Sequence, residues 1–148
     1  DDTFIFGTMN PTSLRDYAGT QSLNKAFADR WVIWDKPFPS KEQLNTIFEK
    51  RYPKLQKEYT DLIVKLATEV NNSFMSEDIS INIETPMSLR TIVERIPIGL
   101  DVYSESSDPL RETWENFVLP HVNKEDIDHY KTLWNTIVRK GPAVKPKL

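Results

Sequence analysis

The strongest constraint on the fold is a helical repeat of apolar residues that runs through residues 53–74. The apolar side chains recur every three or four positions, as they do on one face of an α-helix. Pro53 suits the first turn of this helix, where the missing backbone N–H has no helical partner to lose. The repeat therefore predicts an amphipathic core helix. Its apolar members are Leu55, Tyr59, Leu62, Ile63, Leu66, Ala67, Val70 and Phe74.

Capping residues predict four more helices. Ser, Thr, Asp and Asn side chains accept hydrogen bonds from the unpaired backbone N–H groups of a helix start, and proline is favoured next. The predicted starts are Ser40 with Gln43 in a capping box, Thr85 with Pro86, Asp108 with Pro109, and Asn123. The predicted inward residues are Leu44, Ile47 and Phe48; Leu89, Ile92, Val93 and Ile96; Leu110, Trp114, Phe117 and Val118; and Ile127, Tyr130, Leu133, Trp134, Ile137 and Val138. The helix that follows Pro86 is expected to end at the proline and glycine of residues 97–99.

Short β-prone runs predict a small amount of strand. Residues 3–6 are apolar and are bounded by Gly7, and residues 31–34 form a second such run. Isoleucines alternate with polar residues over 79–83, which predicts an extended segment or an edge strand. The predicted fold class is mostly α with a small β remnant.

The distribution of prolines predicts the domain organisation. Two prolines within residues 35–39 interrupt regular structure and mark a hinge between residues 1–34 and a helical part, residues 40–139. Residues 140–148 are rich in proline and lysine, which predicts a flexible tail.

Two motifs at the start of the chain resemble the second half of an AAA+ ATPase core, of the MoxR-like and midasin-like branch. Asn10 and a proline follow the first predicted strand, as in the family's "A-T-x-N-P" segment, with Gly7 in place of the usual Ala. The family's "L-x-x-A-x-x-D-R-F" segment corresponds to residues 23–31, with Trp31 in place of the usual Phe. The resemblance implies that residues 1–34 hold the last strands of an α/β core and that a helical lid bundle follows.

The same resemblance implies roles for three residues. Asn10 corresponds to sensor 1, which orients the water that attacks the γ-phosphate, and Arg30 to an arginine finger that reaches a neighbouring subunit's nucleotide. Arg90 corresponds to the sensor 2 arginine of the lid and would bind ATP phosphates together with Asn10. Two alternatives stay open for Arg90: a register slipped to Met87 or Arg95, or a surface arginine paired with Glu94 at i+4.

The implied activity is ATP hydrolysis with Mg²⁺ in a homo-oligomeric ring, commonly a hexamer. The ring would remodel a protein partner in a chaperone-like way, by family analogy one with a von Willebrand factor A domain. The chain has neither a G-x-x-x-x-G-K-[ST] phosphate loop nor a hydrophobic run ending in Asp-Glu. It is therefore expected to be a piece of a longer protein whose nucleotide-binding loop lies upstream, and to be inactive alone.

Composition constrains the remaining classes. The net charge is −3, which gives no electrostatic argument for nucleic acid or a membrane. The chain has no cysteine and no apolar run of membrane-spanning length, so a cytoplasmic location is expected. No metal site is predicted, and His121 and His129 are interpreted as structural. The alternative to the ATPase is a helical protein-interaction module without nucleotide chemistry; a DNA-acting AAA+ protein is a variant that the charge disfavours.

Overall fold

The structure, a computed structural model, describes residues 7, 26, 29, 30, 32, 37–78 and 83–148. The chain divides into two compact units, Asp1–Pro37 and Phe38–Leu148, and the division falls within the predicted hinge. The described residues are mostly helical and include no strand, which confirms the predicted helical character. Within the described part of Phe38–Leu148, the α-helices are α1 (Lys41–Arg51), α2 (Lys57–Met75), α3 (Ile96–Val102), α4 (Pro109–Thr113) and α5 (Ile127–Ile137).

The predicted strands lie largely outside the described residues. Val32 is described within the predicted strand 31–34; it has no regular secondary structure, and its side chain is 98% exposed. Ile83 is described at the end of the predicted segment 79–83 and is buried. The predicted strand at residues 3–6 lies outside the described part of the chain.

The capping box of α1 is confirmed. The Ser40 hydroxyl accepts a hydrogen bond from the Gln43 backbone N–H at 3.3 Å, and the Gln43 side chain accepts one from the Ser40 N–H at 2.9 Å. Leu44 and Phe48 are buried, as the helical spacing predicts.

Helix α2 begins later than predicted. It starts at Lys57, because residues 53–55 form a turn closed by a hydrogen bond from the Leu55 N–H to the Tyr52 carbonyl at 3.0 Å. Pro53 therefore lies in this turn and not in the helix. The predicted apolar face is otherwise buried along the length of α2, in agreement with its 3.6-residue period: Tyr59, Ile63, Leu66, Ala67, Val70 and Phe74.

A segment without regular secondary structure, residues 84–88, is held in place by side chains. Asn71, buried on α2, donates to the Met87 carbonyl at 3.2 Å and accepts from the Met87 N–H at 2.9 Å. This pairing gives Met87 the two hydrogen bonds that a neighbouring strand would otherwise provide. Because Met87 is itself buried, both backbone groups depend on a protein partner.

The same segment is held from the α5 side. The buried Asp126 carboxylate accepts hydrogen bonds from the N–H groups of Glu84 and Thr85, the latter at 2.7 Å. The Tyr130 hydroxyl donates to the Thr85 carbonyl at 2.8 Å. Thr85 does not cap a helix as predicted, since its hydroxyl accepts from the distant Asn123 N–H at 3.0 Å.

The helical run over residues 89–102 is capped by Ser88. Its hydroxyl accepts from the Thr91 N–H at 3.1 Å, while Pro86 lies in the non-helical segment that precedes it. The predicted start at Pro86 is therefore wrong by three residues. The later start also leaves Leu89, predicted to face inward, 38% exposed.

The helical run also continues through its proline. Thr91–Arg95 is a π-helical segment, and the Ile96 N–H donates to the Thr91 carbonyl, five residues earlier. Pro97 has no N–H for the Val93 carbonyl, and that carbonyl instead accepts from the Tyr52 hydroxyl at 2.7 Å. The predicted end at residues 97–99 is wrong, because a distant side chain replaces the missing donor.

A second π segment has the same relation to a proline. In Trp114–Val118 the Leu119 N–H donates to the Trp114 carbonyl, and Pro120 follows. Core residues around both segments recur in steps of four. On a straight α-helix, each such residue would be rotated by roughly 40° around the helix axis from the one before it. A π turn contains more residues per turn, so it reduces this rotation and keeps the buried residues on one side. The buried sets are Ile92, Ile96 and Leu100, and Leu110, Trp114 and Val118.

The caps of the last two helices differ from each other. Asp108 accepts from the Arg111 N–H at 3.2 Å and caps α4, as predicted. Asn123 precedes a 3₁₀ turn, Lys124–Asp126, and its side chain makes no capping bond, so its predicted role is wrong. No helix in the described part of the chain has both the length and the apolar character that crossing a membrane requires.

Residues 140–148, predicted as a flexible tail, lie against α2. The Tyr59 hydroxyl donates to the Val144 carbonyl at 2.8 Å, and the Gln56 amide contacts the backbone of Lys145 and Lys147. The composition of the segment gave no indication of these contacts.

Candidate functional site

The three candidate residues are distributed over the two units. Asn10 lies outside the described residues. Arg30 lies in a turn and is exposed, and its guanidinium donates to the Ala26 carbonyl at 2.6 Å. Arg90 lies in the other unit, in the opening turn of the helical run over residues 89–102.

The Arg90 side chain is 77% exposed and projects from the helix surface. Its Nε atom lies 4.0 Å from the Glu94 carboxylate, at the limit of an ion pair. This is the i+4 pairing that the sequence left open as an alternative. An exposed pair of this kind contributes at most about 1 kcal/mol, so it holds the guanidinium only weakly.

Glu94 also faces a second arginine. Arg51, the last residue of α1, places Nη2 3.6 Å from the Glu94 carboxylate, and its guanidinium lies 5.8 Å from the centre of the Tyr52 ring. One carboxylate is therefore shared between two cations, and the cluster carries an excess of positive charge. Guanidinium groups present several N–H donors in a plane, which suits phosphate and carboxylate oxygens. Sequence reasoning found the Arg90–Glu94 pair but not Arg51, because α1 approaches Glu94 only through the tertiary fold.

The surface of the helical unit also has two grooves that the sequence did not predict. One, of about 320 Å³, lies beside the turn between α1 and α2, and the other, of about 410 Å³, lies between α4 and α5. In the second groove the Trp114 and Trp134 rings are 5.1 Å apart. Among the described residues, the buried Trp114 indole N–H has no hydrogen-bond partner. The first groove is lined by Asn45, Phe48, Glu49, Tyr52, Pro53, Leu55, Lys57, Thr60 and Asp61, and the second by Arg111, Trp114, Glu115, Leu119, Lys131, Trp134 and Asn135.

Neither histidine belongs to a metal-binding cluster in the described part of the chain, where no three His, Cys, Asp or Glu side chains are grouped to hold an ion. A ring nitrogen of His129 lies 3.1 Å from the Ser73 hydroxyl, which links α5 to α2. His121 is exposed at the end of a 3₁₀ turn.

Two buried tyrosines have shifted pKa values. Burial, with a smaller effect of the Asp108 charge, raises the pKa of Tyr59 to about 12. Burial, with the nearby charge of Asp126, also raises the pKa of Tyr130. Both hydroxyls donate to backbone carbonyls. They therefore act as neutral structural donors at physiological pH and not as acids or bases.

Comparisons of the chain with protein-family models, with curated proteins and with solved structures gave no significant match. The functional interpretation therefore depends on the sequence motifs and on the surroundings of Arg30 and Arg90.

Proposed function

We propose that this chain is the sensor-1-to-lid part of a MoxR-like AAA+ ATPase. The complete protein would assemble as a cytoplasmic ring, because each bound nucleotide needs residues from two neighbouring subunits. The proposal is supported by the order and spacing of the Asn10, Arg30 and Arg90 motifs. The division of the chain between Pro37 and Phe38 is compatible with a hinged lid.

The observation that carries the proposal is the state of the Arg90 side chain. It is exposed on the first turn of a helix, and its partner among the described residues is Glu94, through a long, solvated contact. A guanidinium in this state can leave its partner at little cost and bind a phosphate group instead. A sensor 2 residue must do this each time nucleotide enters or leaves the site.

Each of the three residues would have a separate role at the γ-phosphate of ATP. Asn10 would orient the attacking water, and Arg30 would stabilise the charge that develops on the phosphoryl group of the adjacent subunit. Arg90 would bind phosphate oxygens and transmit the nucleotide state to the helical unit. Mg²⁺ and the phosphate loop would be held by the upstream part of the protein. The resulting motion would remodel a protein partner, by analogy one with a von Willebrand factor A domain.

The first test is the gene sequence upstream of Asp1. We expect a phosphate loop, followed by a hydrophobic strand that ends in Asp-Glu, within about a hundred residues, the typical size of a domain half of this kind. A short upstream region without these motifs would refute the ATPase assignment.

The second test is ATP turnover by the complete protein. Arg30→Ala should reduce turnover roughly 10³-fold or more, as the loss of an arginine finger does elsewhere. Arg90→Ala should weaken the response to nucleotide. Arg111→Ala is the matched control, because Arg111 is also an exposed arginine in an opening helical turn, with an i+4 partner, Glu115, at 3.2 Å. Equal activity of the Arg90 and Arg111 variants would remove Arg90 from the nucleotide site.

A second candidate function is a helical protein-interaction module without nucleotide chemistry. It is favoured by two apolar side chains one turn apart on α3, Ile98 and Val102, which are 54% and 61% exposed. The two functions are distinguished by nucleotide: a pure interaction module should bind its partner equally well with and without ATP in the complete protein.

A further inference from the structure

The tail, residues 140–148, is bound to the helical unit as a peptide ligand would be. The Gln56 side-chain amide donates to the Lys145 carbonyl at 2.8 Å and accepts from the Lys147 N–H at 3.1 Å. The Tyr59 hydroxyl donates to the Val144 carbonyl at 2.8 Å. Three backbone groups within four residues are therefore recognised by two side chains, and main-chain hydrogen bonds of this kind are what peptide-binding sites use for affinity.

Side chains of the tail add selectivity to these main-chain contacts. The Lys145 ammonium forms an ion pair with Glu105, which lies in the loop between α3 and α4. Pro146, between the two residues that Gln56 contacts, is buried. Val144 is half exposed, so its carbonyl is recognised and its side chain is not. The surface formed by Gln56, Tyr59 and Glu105 thus selects a peptide backbone that carries lysine followed by proline.

The connection from α5 to the tail is suited to opening. Arg139 has a φ of 54°, a left-handed conformation that is costly for a residue with a side chain. Gly141 and Pro142 follow, and each copy of the chain carries both the recognition surface and the segment that fills it. A short, strained connection between a domain and a docked segment is the arrangement from which identical copies exchange segments.

We propose that the surface formed by Gln56, Tyr59 and Glu105 is a peptide-binding site that takes the Lys-Pro segment of a second copy of this chain. Residues 144–147 occupy the site in the single copy, and their release allows exchange between copies. This proposal does not depend on the ATPase assignment, since it rests only on contacts within Phe38–Leu148.

The site is tested with a labelled synthetic peptide that has the sequence of residues 140–148. The intramolecular tail competes at an effective concentration of roughly millimolar. In the full chain, Lys145→Glu should weaken this competition, so the peptide should bind that variant about tenfold more tightly than the wild type in fluorescence anisotropy. Adding Gln56→Ala should reduce binding about tenfold, whereas Glu58→Ala, on the exposed first turn of α2, should leave it unchanged. Equal binding to all variants, or no binding to any, would overturn the proposal.

The second copy is tested by mixing two full-length variants. The Lys145→Glu chain has a wild-type site and an acidic tail, and the Glu105→Lys chain has a basic site and a wild-type tail. Within one copy of either variant, positions 105 and 145 carry like charges. When the two variants exchange tails, each of the two contacts between them pairs a lysine with a glutamate. Light scattering at high concentration should show dimers in the mixture and fewer in either variant alone. The doubly substituted chain, which restores the pair within one copy, should behave as the wild type. No excess association in the mixture would exclude a second copy as the occupant.

Discussion

Replacing Asn71 by alanine should be among the most destabilising single polar changes in the helical unit. Asn71 is buried and satisfies both backbone groups of Met87, at 2.9 and 3.2 Å. Removing it deletes two hydrogen bonds and leaves a buried N–H and a buried carbonyl without partners. Each such orphaned group costs about 1–3 kcal/mol, so the expected loss is about 3 kcal/mol in the free energy of unfolding.

Urea denaturation followed by circular dichroism measures this loss. With a slope of about 2 kcal/mol per molar urea, the midpoint should fall by roughly 1.5 M. Asn72→Ala is the matched control, because Asn72 is exposed on the same helix and the gain in helix propensity is equal in both variants. If the two midpoints differ by less than about 0.3 M, the pairing of Asn71 with Met87 does not stabilise residues 84–88, and the reasoning is wrong.

Three further predictions follow from packing and from the tyrosine donors. Gly99→Ala should lower the free energy of unfolding by about 1–2 kcal/mol in urea titrations, since the new Cβ would lie 2.5 Å from a methyl group of Thr113; Gly7→Ala, with nothing within 4 Å, should not. Tyr52→Phe should cost about 1 kcal/mol in the free energy of unfolding, because the Val93 carbonyl, four residues before Pro97, loses its donor; a thermal melt should show this loss. Because burial raises the pKa of Tyr59 to about 12, the stability that its neutral form contributes should be complete below about pH 10 and be lost as the pH rises through about 12. Urea titrations across this range should therefore show a smaller loss of unfolding free energy for Tyr59→Phe, which has no hydroxyl to ionise, than for the wild type.

Features that depend on neighbouring residues could be predicted from the sequence. The capping box at Ser40, the cap at Asp108 and the apolar face of α2 are all local, and the structure has each of them. The Arg90–Glu94 pair could also be predicted from the sequence, because residues four apart lie on one face of a helix.

Features that depend on distant partners could not be predicted. Thr85 is predicted to cap a helix, but Asp126 and Tyr130 bind its backbone, and the helix begins only at residue 89. Pro97 looks like a helix end, but the Tyr52 hydroxyl supplies the donor that the proline lacks. In the candidate site, the contact of Arg51 with Glu94 also could not be predicted, because it joins residues that are distant in the sequence and lie on separate helical segments.

The two π segments have a consequence for how the length of these helices can change. A π turn contains one residue more than the α turn it replaces. Helix α3 follows the first π segment, and α4 precedes the second. Deleting one residue within Thr91–Arg95 or Trp114–Val118 would therefore shorten the chain without rotating α3 or α4 against the turn on the other side of the π segment. Related chains that are one residue shorter should lack that residue at one of these two places, where its loss leaves the core contacts unchanged.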